Sequence, residues 1–123
     1  MPISFEEANE QLTGPGGPFE VEVVDIRGVP TRTWKNAAPN LRTILERSLS
    51  HGDKPFIVYE DERMTFEQHY ARAASFARLL VGELGVEKGD RVAIAMRNFP
   101  EWPVAFWGAA AAGAVVVPLN AWW

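Results

Sequence analysis

Apolar residues recur at steps of three and four through the middle of the chain. Phe66, Tyr70, Ala73, Ala74, Ala77, Leu80, Val81 and Leu84 fall on one face of an α-helix. Thr65 and Gln68 stand where a capping box would begin it, satisfying amides that the first turn leaves unpaired, and Gly85 stops it. Leu41, Ile44, Leu45 and Leu49 make a shorter stripe, with Asn40 as its N-cap and Gly52 as its close. Ser4 and Glu7 form another capping box, opening a helix to about Leu12.

The period then changes. Phe19 to Ile26 alternates apolar and acidic residues, as a half-buried strand does, and Arg27-Gly28-Val29-Pro30 turns the chain toward Thr31–Trp34. Phe56–Tyr59 is a short strand with its tip at Glu60–Arg63, and Met64–Phe66 begins the return. Arg91–Met96 and Ala114–Val117 are apolar runs of the buried-strand kind. Between them lies a helix from about Phe99 to Ala112, apolar nearly all round, with Asn98 and Glu101 as its capping signal. Strand, helix and strand in so short a span make a parallel βαβ unit over about residues 91–117. The fold class is α/β: a partial N-terminal subdomain with that unit, preceded by two helices and an N-terminal hairpin. Residues 1–38 form a helix-and-hairpin extension, and the main domain starts at 39.

Composition narrows the function. Hydrophobic residues make up 47% and charged residues 23% of the 123, a globular balance. A net charge of −4 argues against nucleic acid as a partner, because that affinity comes largely from neutralising phosphates. The basic residues between Arg27 and Arg47 are spaced singly and are expected on a solvated face. The absence of cysteine excludes disulfides, thiolate nucleophiles and Cys-ligated zinc, and fits a cytoplasmic location. Trp102–Leu119 has no charge over about eighteen residues, a membrane-spanning length, but Pro103, Gly108, Gly113 and Pro118 interrupt it. A buried helix followed by a strand accounts for it better, so no transmembrane segment is expected.

No site emerges from the residues themselves. His51 and His69 have no second ligand at metal spacing and are expected at helix ends or on the surface. Glu6-Glu7 and Asp61-Glu62 are sequence neighbours, which seldom converge for acid–base work. Gly14, Gly16 and Gly17 are broken by Pro15 and Pro18 and lack a following Lys-Ser or Lys-Thr, so they form a turn, not a phosphate loop. Phe99, Trp102, Phe106 and Trp107 have helical spacing and are expected to pack in the core. Catalytic, cofactor-binding and metal-binding residues are none.

Three stretches in order carry a resemblance. Met64-Thr-Phe-Glu-Gln-His-Tyr70 is similar to a Leu-Thr-Tyr-x-Glu-Leu element that opens an early helix in the adenylate-forming superfamily. Gly85-Val-Glu-Lys-Gly-Asp-Arg-Val-Ala-Ile94, followed by Met96, Asn98 and Glu101, resembles the next part of that pattern. Gly108 through Gly113-Ala-Val-Val-Val-Pro-Leu-Asn120 resembles its Lys-Ala-Gly-Ala-x-x-x-Pro-Leu-Asn stretch. Arg32-Thr-Trp34 and Asn120-Ala-Trp-Trp123 are further similar to a fatty-acyl-CoA synthetase subgroup. The resemblance implies an acid–thiol ligase, in which a carboxylate attacks the α-phosphorus of Mg-ATP to give an acyl-adenylate, and coenzyme A then displaces AMP. In that superfamily the phosphate loop, the ribose-binding Asp and the catalytic Lys follow the stretch matched by Leu119-Asn120. The expectation is therefore a synthetase fragment, inactive alone, binding none of ATP, Mg or coenzyme A. Its partner would be the rest of the synthetase or a second copy. The rival expectation is a non-catalytic module that binds a partner through an exposed half-core. Which acid the complete enzyme activates is not legible in these residues.

Overall fold

The computed structural model describes residues 2–121. They divide into two compact units, one ending at Pro39 and one beginning at Asn40.

In the first unit, helix α1 (Phe5–Thr13) starts at the expected capping box. The Glu7 amide donates to Ser4 Oγ at 3.2 Å, and the Ser4 amide donates to Glu7 Oε2 at 2.9 Å. Strands β1 (Val21–Ile26) and β2 (Val29–Trp34) pair antiparallel. Their turn is tighter than the sequence suggested. Only Arg27 (φ 54°) and Gly28 (φ 82°) lie in it, both left-handed, as a two-residue hairpin turn that follows strand twist requires. Asp25 Oδ1 accepts from the Gly28 amide at 2.8 Å and fixes it. Val29 and Pro30 thereby join β2, and Pro30 is tolerated because a two-stranded ribbon is all edge. Among the described residues of this unit none is buried.

The second unit opens with α2 (Leu41–Ser48), capped by Asn40, whose Oδ1 accepts from the Thr43 amide at 2.9 Å. A 3₁₀ turn (Leu49–His51) ends at Gly52. Strands β3 (Pro55–Tyr59) and β4 (Glu62–Thr65) form an antiparallel hairpin turning on Glu60-Asp61, so Glu62 and Arg63 belong to a strand and not to the tip. Thr65 then caps α3 (Phe66–Gly82) with the reciprocal Thr65–Gln68 bonds, 3.2 and 3.0 Å. Gly85 (φ 66°) turns the chain out of the helix, and the Val86 amide donates back to the Leu80 carbonyl at 2.9 Å. Strand β5 (Arg91–Ile94), helix α4 (Glu101–Ala111) and strand β6 (Val115–Pro118) complete the unit. β5 and β6 are parallel, in register from Arg91↔Val115 to Ile94↔Pro118. The class is α/β with the expected βαβ unit.

The core lies where α3 crosses α4. Ala73, Leu80 and Ala109 are buried there, with Leu45, Met64 and Ile94 closing its margins. A side chain at Gly108 would meet Phe76 Cδ1 at 2.7 Å and the Ala73 carbonyl oxygen at 2.9 Å, so this crossing depends on a missing Cβ.

Several expectations are corrected. His69 is not on the surface; it is 1% exposed, within the first turns of α3. Asn98 does not cap α4: its N-cap is Pro100, with no side-chain cap bond, and the helix begins at Glu101. β5 and β6 are not buried strands here, since Arg91, Ala93, Val115 and Pro118 are exposed. Leu41 and Ile44 on α2, Leu49 at the start of the 3₁₀ turn, and Val81 and Leu84 at the end of the α3 stripe, are also exposed. The apolar stripes are as the sequence placed them, but among the described residues nothing covers these positions. The tryptophans at 122 and 123 lie outside those residues.

Candidate functional site

Parallel strands deliver their carboxyl ends to the same side, and in open α/β sheets that side is where ligands bind. β5 leaves the sheet at Ile94 and β6 at Pro118. Beside these exits is a cleft of about 540 Å³, lined by Tyr59, Met96, Asn98, Phe99, Trp102 and Leu119 among others. Tyr59 meets Phe99 edge-on at 5.9 Å, and Trp102 stacks on Phe106 at 5.5 Å and 13°. Phe106 in turn meets Trp107 edge-to-face at 5.6 Å. The aromatic row thus splits: Phe99 and Trp102 wall the cleft, while Phe106 and Trp107 continue along α4. Sequence spacing alone assigned all four to the core, because helical periodicity does not show which flank faces a cavity.

This wall can hold apolar or planar groups. Among its described lining residues there is no carboxylate, histidine or lysine, the usual groups for acid–base work. No cluster of His, Cys, Asp or Glu that could hold a metal ion exists among the described residues. The acidic neighbours named from sequence are structural, with Glu7 in the α1 cap, Asp61 in the β3–β4 turn and Glu62 at the start of β4. Hydrogen bonds from the Ser4 backbone and side chain lower the pKa of Glu7.

The glycine turn at Gly14–Gly17 already holds an anion of its own. Glu20 Oε2 accepts from the Gly16 amide at 3.2 Å, and Glu20 Oε1 accepts from Lys35 Nζ at 2.7 Å. The Lys35 bond, then the Gly16 amide, lowers the Glu20 pKa, and the partnership raises that of Lys35. A fixed carboxylate repels phosphate from that turn. That turn therefore does not fit the phosphates of Mg-ATP, and no step of adenylation or thioester formation is derived through it. Arg27, Arg32, Lys35, Arg42 and Arg47 are exposed, as charge spacing indicated.

The two histidines occupy a different region. His51 packs against Phe66 at 4.6 Å, and His69 against Phe56 at 4.5 Å. Both line a cavity of about 410 Å³ with Arg47, Ser48, Ser50 and Trp107.

Comparison with known proteins decides the family. The profile described as AMP-binding enzyme matches residues 45–123, more than half of the chain. The chain belongs to the AMP-binding enzyme family. Within it, the long-chain-fatty-acid–CoA ligase of Escherichia coli O6:H1 is 39% identical over 93 residues, 75% of this chain and 17% of the ligase. The long-chain-fatty-acid–CoA ligase FadD13 of Mycobacterium tuberculosis is 50% identical over 60 residues, 49% of this chain and 12% of that protein. An inhibitor-bound crystal structure of the N-terminal domain of FACL13 from Mycobacterium tuberculosis superposes with a TM-score of 0.63 at 38% identity. It covers 68% of this chain and 22% of that one. The chain is thus a partial N-terminal AMP-binding region, spanning about a sixth of the length of the Escherichia coli ligase it matches. The reading as a non-catalytic module that binds a partner through an exposed half-core is not favoured.

Proposed function

We propose that this segment is the opening scaffold of an acyl-CoA synthetase acting on a long-chain fatty acid with ATP, Mg and coenzyme A. The observation that supports it is the match over residues 45–123, which takes in all of the α3–β5–α4–β6 framework. In this reading the segment's role is mechanical. It presents a parallel strand pair on which the rest of the sheet builds, and supplies the aromatic wall beside the strand exits. The catalytic groups belong to the remainder of the synthetase, which is the segment's partner, joined to it or as a separate chain. A cytoplasmic setting is part of the same proposal; the described residues contain no helix long and apolar enough to cross a membrane.

Two measurements test it. The 123-residue chain alone should show no carboxylate-dependent exchange of labelled pyrophosphate into ATP. Substituting its residues 45–121 for the matching segment of the Escherichia coli ligase should give a chimera that retains the exchange with long-chain acids. Exchange by the isolated chain, or a chimera that folds and has lost it, would overturn the reading.

A further inference from the structure

His69 sits in the first turns of α3, 1% exposed, against the Phe56 ring of β3 at 4.5 Å. Neither ring nitrogen has a well-formed hydrogen bond. The Pro103 carbonyl of α4 is near enough to favour the protonated ring, which puts His69 between α3, α4 and β3. A buried imidazole without partners is tolerable when neutral and costly when charged.

Apart from that carbonyl, the surroundings offer a cation little. In the cavity they share, α2 contributes Arg47, the 3₁₀ turn contributes His51, β3 contributes Phe56 and α4 contributes Trp107. On α3 itself the neighbouring charges, Glu67 and Arg72, are exposed. No carboxylate is among the described residues lining the cavity, where the other basic side chains are Arg47 and His51. A protonated ring therefore has no counter-ion in place, and its way to water is out through the cavity past Ser48 and Ser50. Leaving would empty the space that joins the three elements.

We propose that His69 is an acid-sensitive joint, whose protonation releases α3 from α4 and β3 and loosens the second unit. Burial lowers the His69 pKa, with the Pro103 carbonyl opposing that effect more weakly. The unfolded chain, near the ordinary histidine value of about 6.5, then binds the proton more readily than the folded one. Stability is complete above that value and is lost as pH falls from it through the lower folded pKa.

The full chain can test this by urea unfolding at pH 7.5 and pH 5. The wild-type midpoint should fall on acidification, while His69→Leu, which cannot titrate, should lose less. His69→Gln serves the same comparison if leucine does not fold. Since the chain has two histidines, the imidazole resonances of a His51→Gln variant report His69 alone. They should stay neutral through mild acid and protonate only as the folded spectrum disappears. Deuterium exchange of the α3 peptides should rise at the same pH. Equal midpoint losses in wild type and His69→Leu, a ring that protonates with the fold intact, or α3 peptides already unprotected at pH 7.5 would each overturn the proposal.

Discussion

Thr65 fixes where α3 begins. Its hydroxyl oxygen accepts from the Gln68 amide while the Gln68 side chain accepts from the Thr65 amide, so two of the groups the first turn would strand are paired. Thr65→Ala removes one half of that exchange and should lower stability by about 0.5–2 kcal/mol, the usual effect of losing an N-cap. A urea midpoint unchanged by the substitution, in the chain or in a chimera carrying it, would show that packing alone sets the helix start. His69, four positions on, is the contrasting case. It falls on the buried side of the helix, one position before Tyr70, and a histidine there gives no apolar signal. The stripe read from sequence therefore passed it by.

At the scale of elements, the signals written in local chemistry were legible and those that depend on distant cover were not. The capping boxes at Ser4 and Thr65, the Asn40 cap and the parallel βαβ unit are all where the residues place them. The α4 start was misread because Asn98 and Glu101 mimic a cap. The chain instead enters the helix through Pro100, already in helical conformation, and the Trp102 amide donates to the Phe99 carbonyl at 3.0 Å. The cleft at the strand exits was not legible, since its wall joins Tyr59 of one hairpin to Met96, Phe99 and Leu119 of another unit of topology. What decides the α3–α4 crossing is the run of small residues Ala73, Gly108 and Ala109, two of them with no exposed surface. Gly108→Val would drive carbon into Phe76 and into the Ala73 carbonyl, and the backbone oxygen cannot swing aside. The expected destabilisation is about 1–3 kcal/mol, as for overpacking elsewhere. Thermal melts of Gly108→Ala and Gly108→Val should fall in that order, and a neutral valine would mean the helices are not held this close.

At the scale of the whole molecule, the last expectation is that the 123-residue chain alone is a poor monomer. All of the side chains named in its apolar core belong to the second unit, while the first has no buried position among its described residues. A unit of some forty residues seldom holds itself together without disulfides, metal or a neighbour, and this sequence has no cysteine. In the second unit, β5 and β6 pair with each other and with no further strand among the described residues. Parallel strands are normally covered on both faces and flanked on both sides, yet Val115 at the start of β6 is 51% exposed and Leu119 just past its end is 46% exposed. Unpaired edges of that kind template association. Helix α4 is apolar on every side after Glu101, yet only Gly108 and Ala109 are fully buried and its other apolar residues are half-buried. The chain covers 17% of the Escherichia coli ligase and 12% of FadD13, and under the proposed function the remainder of the synthetase is what would cover these surfaces. Size-exclusion chromatography with light scattering should therefore show assemblies larger than one chain, and a dye that brightens on apolar surface should bind. Adding the remainder of a related synthetase should reduce both signals if it seats on the open strand edge. A sharp monomer peak with no dye binding and a cooperative melt would mean that residues 40–121 close their own core, and the exposed strand residues would then need a different explanation.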